Sequence, residues 1–220
     1  MHIEVIHNSK SIASESFRTL RSNIQFSNFG QSIQTIVVTS SNPNEGKSEV
    51  SINLAASLAQ QGKKVLLIDA DMRKPTQHKN IGVMNTEGLS KFLLRETGAE
   101  AIHRLDILDV KFDVLTSGPV PPNPSEMLAS FAMEQSIKAF VEHYDYVIID
   151  TPPLLAATDA QVLARIADAT LLVVDPKQSK RRQIVEAKKR LDNVGARLLG
   201  TVMNKLKLTE GNNYYYYYKY

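Results

Sequence analysis

Six short, continuous apolar runs constrain the fold of this chain more than any other feature of its sequence. They are rich in Val, Ile and Leu and mostly do not alternate with polar residues, a pattern typical of strands buried on both faces of a mainly parallel sheet. Helical patterns lie between them, and the clearest, at 47–61 and 179–194, each end at a glycine. We predict a doubly wound α/β sheet with right-handed crossovers, whose ligands bind beyond the carboxyl ends of the strands. The runs occupy residues 35–39, 65–68, 112–115, 146–149, 170–174 and 198–203.

Composition excludes several classes of protein. The 26 Lys and Arg residues nearly balance 23 Asp and Glu residues, which falls short of the basic footprint of a nucleic-acid binder, so no nucleic-acid partner is expected. The chain has no cysteine, which rules out disulfides and thiolate metal sites. Because no apolar run resembles a signal peptide or a membrane span, we expect a cytoplasmic protein that meets a membrane only through a partner.

One loop between a predicted strand and a predicted helix has the spacing of a phosphate-binding motif. Residues 41–48 read SNPNEGKS and match GxxxxGK[ST], except that serine replaces the first glycine. In this context successive backbone N–H groups and a helix N-terminus attract phosphate oxygens. Lys47 is predicted to reach the β- and γ-phosphates of a nucleoside triphosphate, and Ser48 to bind Mg²⁺. The predicted nucleotide contacts of this loop are Ser41, Asn42, Pro43, Asn44, Glu45, Gly46, Lys47 and Ser48.

Three aspartates lie at the carboxyl ends of two other predicted strands. Asp69 and Asp71 occur in LLIDADMRKP, and Asp150 occurs in VIIDTPP. A carboxylate at such a place can hold Mg²⁺ directly or through water, and a second can accept the proton of an attacking hydroxyl. Burying two like charges close together is costly unless a metal compensates them. The aspartates therefore favour a site for Mg²⁺ and nucleotide at this edge of the sheet.

These motifs resemble those of the bacterial tyrosine kinases, a P-loop family unrelated in fold to the eukaryotic protein kinases. The loop at 41–48, the Walker-like box LLIDADMR at 66–73 and the Walker B box VIIDTPP at 147–153 carry the resemblance. With the two chain ends described below, it covers nearly the whole chain. The resemblance implies a P-loop NTPase fold and an enzyme that transfers phosphate from ATP to protein tyrosine.

The resemblance also implies a role for each charged residue. Lys47 would bind phosphates, while Ser48, Asp71 and Asp150 would organise Mg²⁺. Asp69 would be the base that activates a tyrosine hydroxyl, although the division of roles between the first two aspartates stays open. An ordinary Asp is a weak base for a phenol with a pKa of about 10, so positioning of the phenol can matter more than basicity.

The nearest competing family is that of the partitioning and division-site ATPases, which share the fold. They carry an extra lysine early in the phosphate loop, where this chain has Asn42, and the missing lysine counts against that reading. Asn204, in VMNK after the last strand, resembles the adenine-contacting Asn of both families and does not discriminate between them. Two rivals to a kinase stay open, namely an ATPase acting as a nucleotide switch and a scaffold that binds ATP without turnover.

The end of the chain is dense in one phosphorylatable residue. Six of the eight tyrosines lie in the last seven residues, and the segment 211–220 resembles the cluster on which these kinases phosphorylate themselves. A sticky aromatic tail is the alternative. Because a distant tail more readily reaches a neighbour's site, we expect transfer between subunits. The predicted phosphoacceptors are Tyr214, Tyr215, Tyr216, Tyr217, Tyr218 and Tyr220.

The segment 1–34 precedes the predicted kinase domain at 35–210 and contains a helical pattern over 14–26. Glu15, Arg18 and Arg21 follow one another at a spacing of three, which places them along one side of the helix. They match the ExxRxxR oligomerisation motif of the family, and an exposed salt-bridged face is the alternative. The resemblance implies a ring-like homo-oligomer. It further implies a separate transmembrane activator, a position at the inner face of the membrane, protein tyrosine substrates, and regulation of capsule or exopolysaccharide production.

Overall fold

The computed structural model describes residues 2–27 and 32–206. Its strands form one sheet, and neighbouring strands run parallel except for one antiparallel pair at an edge. The strands are β1 (Thr35–Ser40), β2 (Val65–Asp69), β3 (Ile102–Ile107), β4 (Val110–Leu115), β5 (Tyr146–Asp150), β6 (Ala169–Val174) and β7 (Leu198–Met203). Their order across the sheet is β3-β4-β2-β5-β1-β6-β7. All six predicted strands are confirmed, as is the mainly parallel sheet.

Strand β3 was not among the predicted strands, and its position explains why. It is the antiparallel edge strand and alternates between half-buried and exposed residues, so it lacks the continuous apolar run of a central strand. It joins β4 through a two-residue turn, Leu108 and Asp109, in which both residues have positive φ angles of 48° and 66°. Such turns normally carry Asn-Gly, and the sequence Leu-Asp therefore gives no hairpin signal.

Helices cover both faces of the sheet. Alternate residues of each central strand point to opposite faces, so Ile36 and Val38 of β1 join one hydrophobic core while Val37 joins the other. The first core includes α1, α2 and α3, and the second includes α5, α7, α8 and α9. The helices are α1 (Glu4–His7), α2 (Ile12–Phe26), α3 (Lys47–Ala59), α4 (Gln77–Ile81), α5 (Leu89–Leu93), α6 (Pro124–Leu128), α7 (Phe131–His143), α8 (Asp159–Ile166) and α9 (Arg181–Asn193), with a 3₁₀ turn at Ala99–Ala101.

The three helices expected from the sequence are present with shifted ends. Helix α3 ends two residues earlier than its pattern, and Gly62 follows it with a left-handed φ of 74°. Helix α2 begins at Ile12, where Ser11 accepts a hydrogen bond from the Ser14 N–H as an N-cap. Ile24 of α2 is buried, so the segment before β1 shares the core of the sheet. Among the described residues, no helix combines the length and apolar character needed to span a membrane.

Candidate active site

The phosphate-binding loop connects β1 to α3 at the carboxyl edge of the sheet. Gly46, with a φ of 91°, is the left-handed residue directly before the helix, and Asn44 also has a positive φ of 63°. The side chain of Asn204, which follows β7, lies against Gly46, so that a Cβ on this glycine would fall 1.9 Å from its amide nitrogen. The left-handed conformation therefore favours glycine directly before Lys47, and any larger residue would also displace the Asn204 side chain.

A second loop, between β6 and α9, holds the phosphate loop in shape. Glu45 is fully buried and accepts hydrogen bonds from the Asn42 N–H, at 2.9 Å, and from the hydroxyl of Ser179. The side-chain amide of Gln178 donates to the Asn44 carbonyl at 2.9 Å, and that of Gln183 to the Asn42 side chain at 3.1 Å. The two glutamines hold the loop through its oxygen atoms, while Glu45 accepts the Asn42 N–H within the loop.

The three predicted aspartates and the loop lysine meet at the ends of adjacent strands. Asp69 and Asp150 are register partners at the last residues of β2 and β5, and both are fully buried. The ammonium of Lys47 lies 3.0 Å from the Asp71 carboxylate, and the two side chains are 12% and 4% exposed. The structure therefore brings one cation and three carboxylates into a nearly dry site, where their interactions are strong.

Burial and mutual repulsion shift the pKa values of these groups. Burial first, and then the charge of Asp150, raise the pKa of Asp69 to about 8, against the opposing effect of two backbone N–H groups. Burial also raises the pKa of Asp150, although Lys47 and hydrogen bonds from Ser48 and Gln77 oppose it. The pKa of Lys47 is raised because the carboxylates outweigh its own burial. One lysine does not fully neutralise three aspartates, which leaves the site short of positive charge.

These residues fit a magnesium ion. One carboxylate oxygen of Asp150, Oδ1, is buried without a hydrogen-bond partner among the described residues, and buried acceptors are seldom left so. Carboxylate and hydroxyl oxygens are the ligands that Mg²⁺ prefers, together with water and nucleotide phosphates. Within residues 2–27 and 32–206 no group of three or more acidic or His side chains forms a complete metal cage. That arrangement suits an ion that takes most of its ligands from water and substrate.

Comparison with known proteins identifies the family. The family model described as an AAA domain matches residues 33–199. Tyrosine-protein kinase YwqD of Bacillus subtilis is 44% identical to this chain over 208 residues, which cover 94% of this chain and 87% of that protein. This chain belongs to the bacterial tyrosine-protein kinases. The predicted family, P-loop fold and enzyme class are thereby confirmed.

Solved structures agree with this assignment. The kinase domain of Escherichia coli tyrosine kinase ETK superposes on this kinase with a TM-score of 0.90 at 34% identity, covering 97% of this chain and 84% of that one. Tyrosine-protein kinase etk of Escherichia coli K12 is 36% identical over 201 residues, which cover 90% of this chain but 27% of that protein. The kinase described here therefore matches one part of a longer relative.

The sequence did not single out Gln77, which joins three parts of the site. This side chain at the start of α4 is fully buried and donates to the Ser48 carbonyl at 3.0 Å and to the Asp150 carboxylate at 2.8 Å. Its backbone N–H donates to Asp69 at 2.9 Å. A glutamine eight residues after an aspartate has no sequence signature, so only the folded chain reveals its role as a positioning residue.

Arg73 was recognised in the sequence only as the end of the second Walker-like box. Its guanidinium forms two hydrogen bonds to the fully buried carboxylate of Asp159, at 2.9 and 3.1 Å, and a third to the hydroxyl of Ser125 at 2.8 Å. These contacts connect the loop after Asp71 to the starts of α6 and α8. A bidentate Arg–carboxylate pair fixes orientation as well as distance, so Arg73 anchors the loop that carries Asp71 and follows Asp69.

The three residues of the ExxRxxR motif do not stay together. Arg18 forms an ion pair with Glu15 at 2.5 Å on the outer side of α2. Arg21 turns inward, where it is buried and donates to the Ser57 carbonyl of α3 at 2.6 Å. Each step of three residues rotates by about 60° around a helix, so two steps separate the first and last residues of the motif by about 120°. The predicted phosphoacceptor tyrosines lie outside the described residues.

Proposed function

We propose that this kinase uses ATP and Mg²⁺ to phosphorylate the tyrosines of its own C-terminal cluster, with transfer between subunits. The observation that carries the proposal is the buried group formed by Lys47, Asp69, Asp71 and Asp150 beside the phosphate loop. Such a group of charges is costly unless phosphates and a divalent cation complete it. The family to which the chain belongs supplies the acceptor, protein tyrosine.

Each charged residue has a role that its surroundings support. Lys47, held beside Asp71, would turn to the β- and γ-phosphates, because phosphates carry more negative charge than one carboxylate. Ser48, Asp71 and Asp150 would hold Mg²⁺, which neutralises charge on the transferred group. Asn204 and the loop Ser41 to Ser48 would contact the nucleotide, since the amide of Asn204 lies beside Gly46.

Asp69 is proposed as the residue that accepts the proton of the tyrosine hydroxyl. Burial raises its pKa to about 8 when no metal is bound, which narrows the gap to a phenol with a pKa of about 10. Asp69 must lose its own proton before it can accept another, and Mg²⁺ held beside it would favour that loss. Its two oxygens already accept N–H groups from Asp71, Thr76 and Gln77. Those bonds fix the carboxylate in place, so the base and the loop around it form one rigid unit.

The subunit that donates phosphate can be separated from the one that accepts it. One variant, Lys47→Met, keeps the tyrosines but lacks the phosphate-binding cation. A second variant keeps the site but carries Phe at Tyr214, Tyr215, Tyr216, Tyr217, Tyr218 and Tyr220. Neither variant alone should accumulate phosphotyrosine in the tail, while a mixture with ATP and Mg²⁺ should do so at a rate that rises with concentration.

Mass spectrometry of the tail and an ADP-release assay read out this mixing experiment. Phosphate on the tail of the Lys47→Met chain establishes transfer between subunits. If the wild-type chain phosphorylates its tail and the mixture does not, transfer is confined to one subunit. If ADP is released from the wild-type chain without any phosphotyrosine, with and without an activator segment, the protein is an ATPase and the kinase proposal fails.

The proposal also covers the oligomeric state of the kinase and its location in the cell. Glu15 and Arg18 form a half-exposed ion pair on α2, and we propose that they contribute to a ring-like homo-oligomer. Replacing both with Ala should lower the mass measured by light scattering, whereas Lys188→Ala with Asp192→Ala, an equivalent pair on α9, should not. A transmembrane activator, a place at the inner face of the membrane and control of capsule or exopolysaccharide production are proposed from the family resemblance.

A further inference from the structure

The side-chain amide of Asn204 is held in one orientation. Its nitrogen, Nδ2, donates to the Glu45 carbonyl and to the Glu49 carboxylate, at 3.3 Å each. Both partners are acceptors, so a flipped amide would place its oxygen against two other oxygens. The two acceptors therefore turn the amide nitrogen toward the start of α3 and the amide oxygen, Oδ1, away from them.

The backbone that carries this amide is fixed as well. The Asn204 N–H donates to the Val174 carbonyl at 2.9 Å, which continues the pairing of β7 with β6. The next residue, Lys205, has a positive φ of 58°, and its ammonium lies 2.5 Å from the Asn44 carbonyl and 3.6 Å from the Asp175 carboxylate. These contacts tie the segment after β7 to the phosphate loop. The backbone thus sets the position of the amide, and the two acceptors set its orientation.

The amide oxygen of Asn204 is available to a ligand. Within the described part of the chain, no group donates a hydrogen bond to Oδ1, and the residue is only half-buried. Glu49 and Asn204 also line a cleft of about 350 Å³, together with the apolar side chains of Phe17, Met203 and Leu206. An apolar wall with a few polar groups is typical of a small-molecule site, and here it suits the flat ring of a nucleotide base.

The two common purine bases differ in what they would offer to this oxygen. Adenine carries an amino group at position 6, which donates, whereas guanine carries an oxygen there, which accepts. The Asn204 oxygen can pair with the amino group of adenine. Against guanine it would face a second acceptor, and both oxygens would lose a hydrogen bond to water without a replacement. An amide that presents its oxygen therefore favours adenine.

We infer that Glu49 is a positioning residue that holds the Asn204 amide in the orientation that accepts adenine and rejects guanine. The inference rests on the proposed function, in which Asn204 contacts the nucleotide. The Glu45 carbonyl is a neutral acceptor, while the Glu49 carboxylate is charged and forms the stronger type of hydrogen bond. Glu49 thus makes the flipped amide more costly, and it acts on the base only through Asn204.

Glu49 has a simpler role from which this one must be separated. It is an exposed acidic residue in the first turn of α3, where a carboxylate interacts favourably with the helix dipole. Loss of that interaction would weaken the binding of every nucleotide to the same extent. Loss of amide positioning would change the ratio of the affinities for adenine and guanine nucleotides, so the ratio is the quantity to measure.

Competition binding to the full chain measures this ratio. Non-hydrolysable analogues of ATP and GTP, each with Mg²⁺, displace a ribose-labelled fluorescent ATP analogue. We expect the wild-type chain to bind the ATP analogue at least about tenfold more tightly than the GTP analogue, as for one mismatched hydrogen bond. Glu49→Ala should lower this ratio about threefold or more. Glu49→Gln, whose amide oxygen can still accept, should keep more of the ratio than Glu49→Ala does.

A matched control removes an equivalent glutamate elsewhere. Glu126 lies in the first turn of α6 and accepts a hydrogen bond from the side-chain amide of Asn123 at 3.1 Å. Glu126→Ala should therefore keep the wild-type ratio. An inosine triphosphate analogue serves as a control for the base, because it has the oxygen of guanine at position 6 and lacks the 2-amino group. It should bind as weakly as the GTP analogue.

A double-mutant cycle tests whether Glu49 acts through the amide. Asn204→Ala should lower the ratio because the acceptor for the amino group is lost. Adding Glu49→Ala to this variant should lower the ratio no further, since no amide remains to be oriented. A further fall in the double variant would mean that Glu49 contacts the base itself, which contradicts a positioning role.

Four other results would overturn the inference. They are an unchanged ratio in Glu49→Ala, an equal fall in Glu126→Ala, a Glu49→Gln ratio as low as that of Glu49→Ala, and an inosine analogue that binds as tightly as the ATP analogue. These measurements involve no phosphate transfer. A chain that makes no phosphotyrosine would contradict the proposed function while the ratio still tests Glu49, and an unchanged ratio would leave the kinase proposal standing.

Discussion

Strand β2 follows two lysines at the amino edge of the sheet and ends in Asp69 at the carboxyl edge. Charged side chains are buried at the carboxyl edge and exposed at the amino edge. At the carboxyl edge, Asp69 and Asp150 are fully buried, and the largely buried Lys47 beside them pairs with Asp71. At the amino edge, Lys64 and Arg104 are exposed and form no ion pair among the described residues. Burial makes charge reactive and costly, while exposure makes it inexpensive and suited to recognition.

The largest effect should follow from removing Lys47, the cation that lies among the buried carboxylates of the carboxyl edge. In Lys47→Met the phosphates lose their main positive partner, and transfer should fall by about 100-fold or more. Lys189→Met, at an exposed position of α9, should leave the rate within about twofold because exposed charges contribute little. Phosphotyrosine formation at saturating ATP measures both. Near-normal transfer by Lys47→Met would mean that the buried lysine contributes no more to phosphate transfer than the exposed Lys189 does.

The pH dependence of stability tests the cost of buried carboxylates. Burial and Asp150 raise the pKa of Asp69 from 3.8 to about 8, so between these values the folded chain retains a proton that the unfolded chain releases. Without nucleotide or metal, the free energy of unfolding should therefore fall from about pH 4 to about pH 8 and then level off. Urea unfolding at five pH values should show a clearly smaller slope for Asp69→Asn. Asp109→Asn, in the hairpin turn, should keep the wild-type slope.

Gln77→Leu tests whether neutral contacts hold the buried charges in place. The change removes one hydrogen bond each from the Ser48 carbonyl and the buried Asp150 carboxylate, which should cost about 1–3 kcal/mol of unfolding free energy. Transfer should also slow, because two residues of the proposed magnesium site lose their support. Gln25→Leu, which removes an exposed hydrogen bond to Gln61, should cost under about 0.5 kcal/mol. Equal losses of unfolding free energy in the two variants would show that a buried hydrogen bond contributes no more to stability here than an exposed one.

The smallest effect concerns the hairpin at the amino edge. Leu108 is 73% exposed and has a φ of 48°, a conformation that Asn adopts at lower cost than Leu. Leu108→Asn should therefore raise the unfolding free energy by about 0.5 kcal/mol. Leu94→Asn is the control, because Leu94 is 56% exposed with an ordinary φ of −78°. Thermal unfolding of both variants measures the difference, and a destabilised Leu108→Asn would mean that Leu108 contributes packing.

The central strands could be predicted because a strand buried on both faces has a continuous apolar run in its sequence. β1, β2 and β5 consist of buried residues only, so their apolar runs have no interruptions. β3 has no continuous apolar run, because it is covered on one side only and follows a 3₁₀ turn. Local pattern therefore predicts the interior of the sheet better than its edge.

The part of the site that lies at or beside the strand ends could be predicted from the sequence, and the residues that support it could not. Asp69, Asp71, Asp150 and Lys47 could be grouped because parallel strands end at one edge. Gln77 could not be, since its three contacts join segments up to 73 residues apart. The inward turn of Arg21 was also missed, because a spacing of three drifts around a helix and the side that faces α3 depends on packing.

The contact between Asn204 and Gly46 sets the order in which the site can be completed during synthesis. The loop at 41–48 leaves the ribosome early, but its glycine, Gly46, is packed by a residue made about 160 positions later. Because chains emerge from the N-terminus first, a nascent chain can form β1 and α3 long before the wall of its phosphate loop exists. Nearly the whole described chain must therefore emerge before Asn204 can close the wall of the loop.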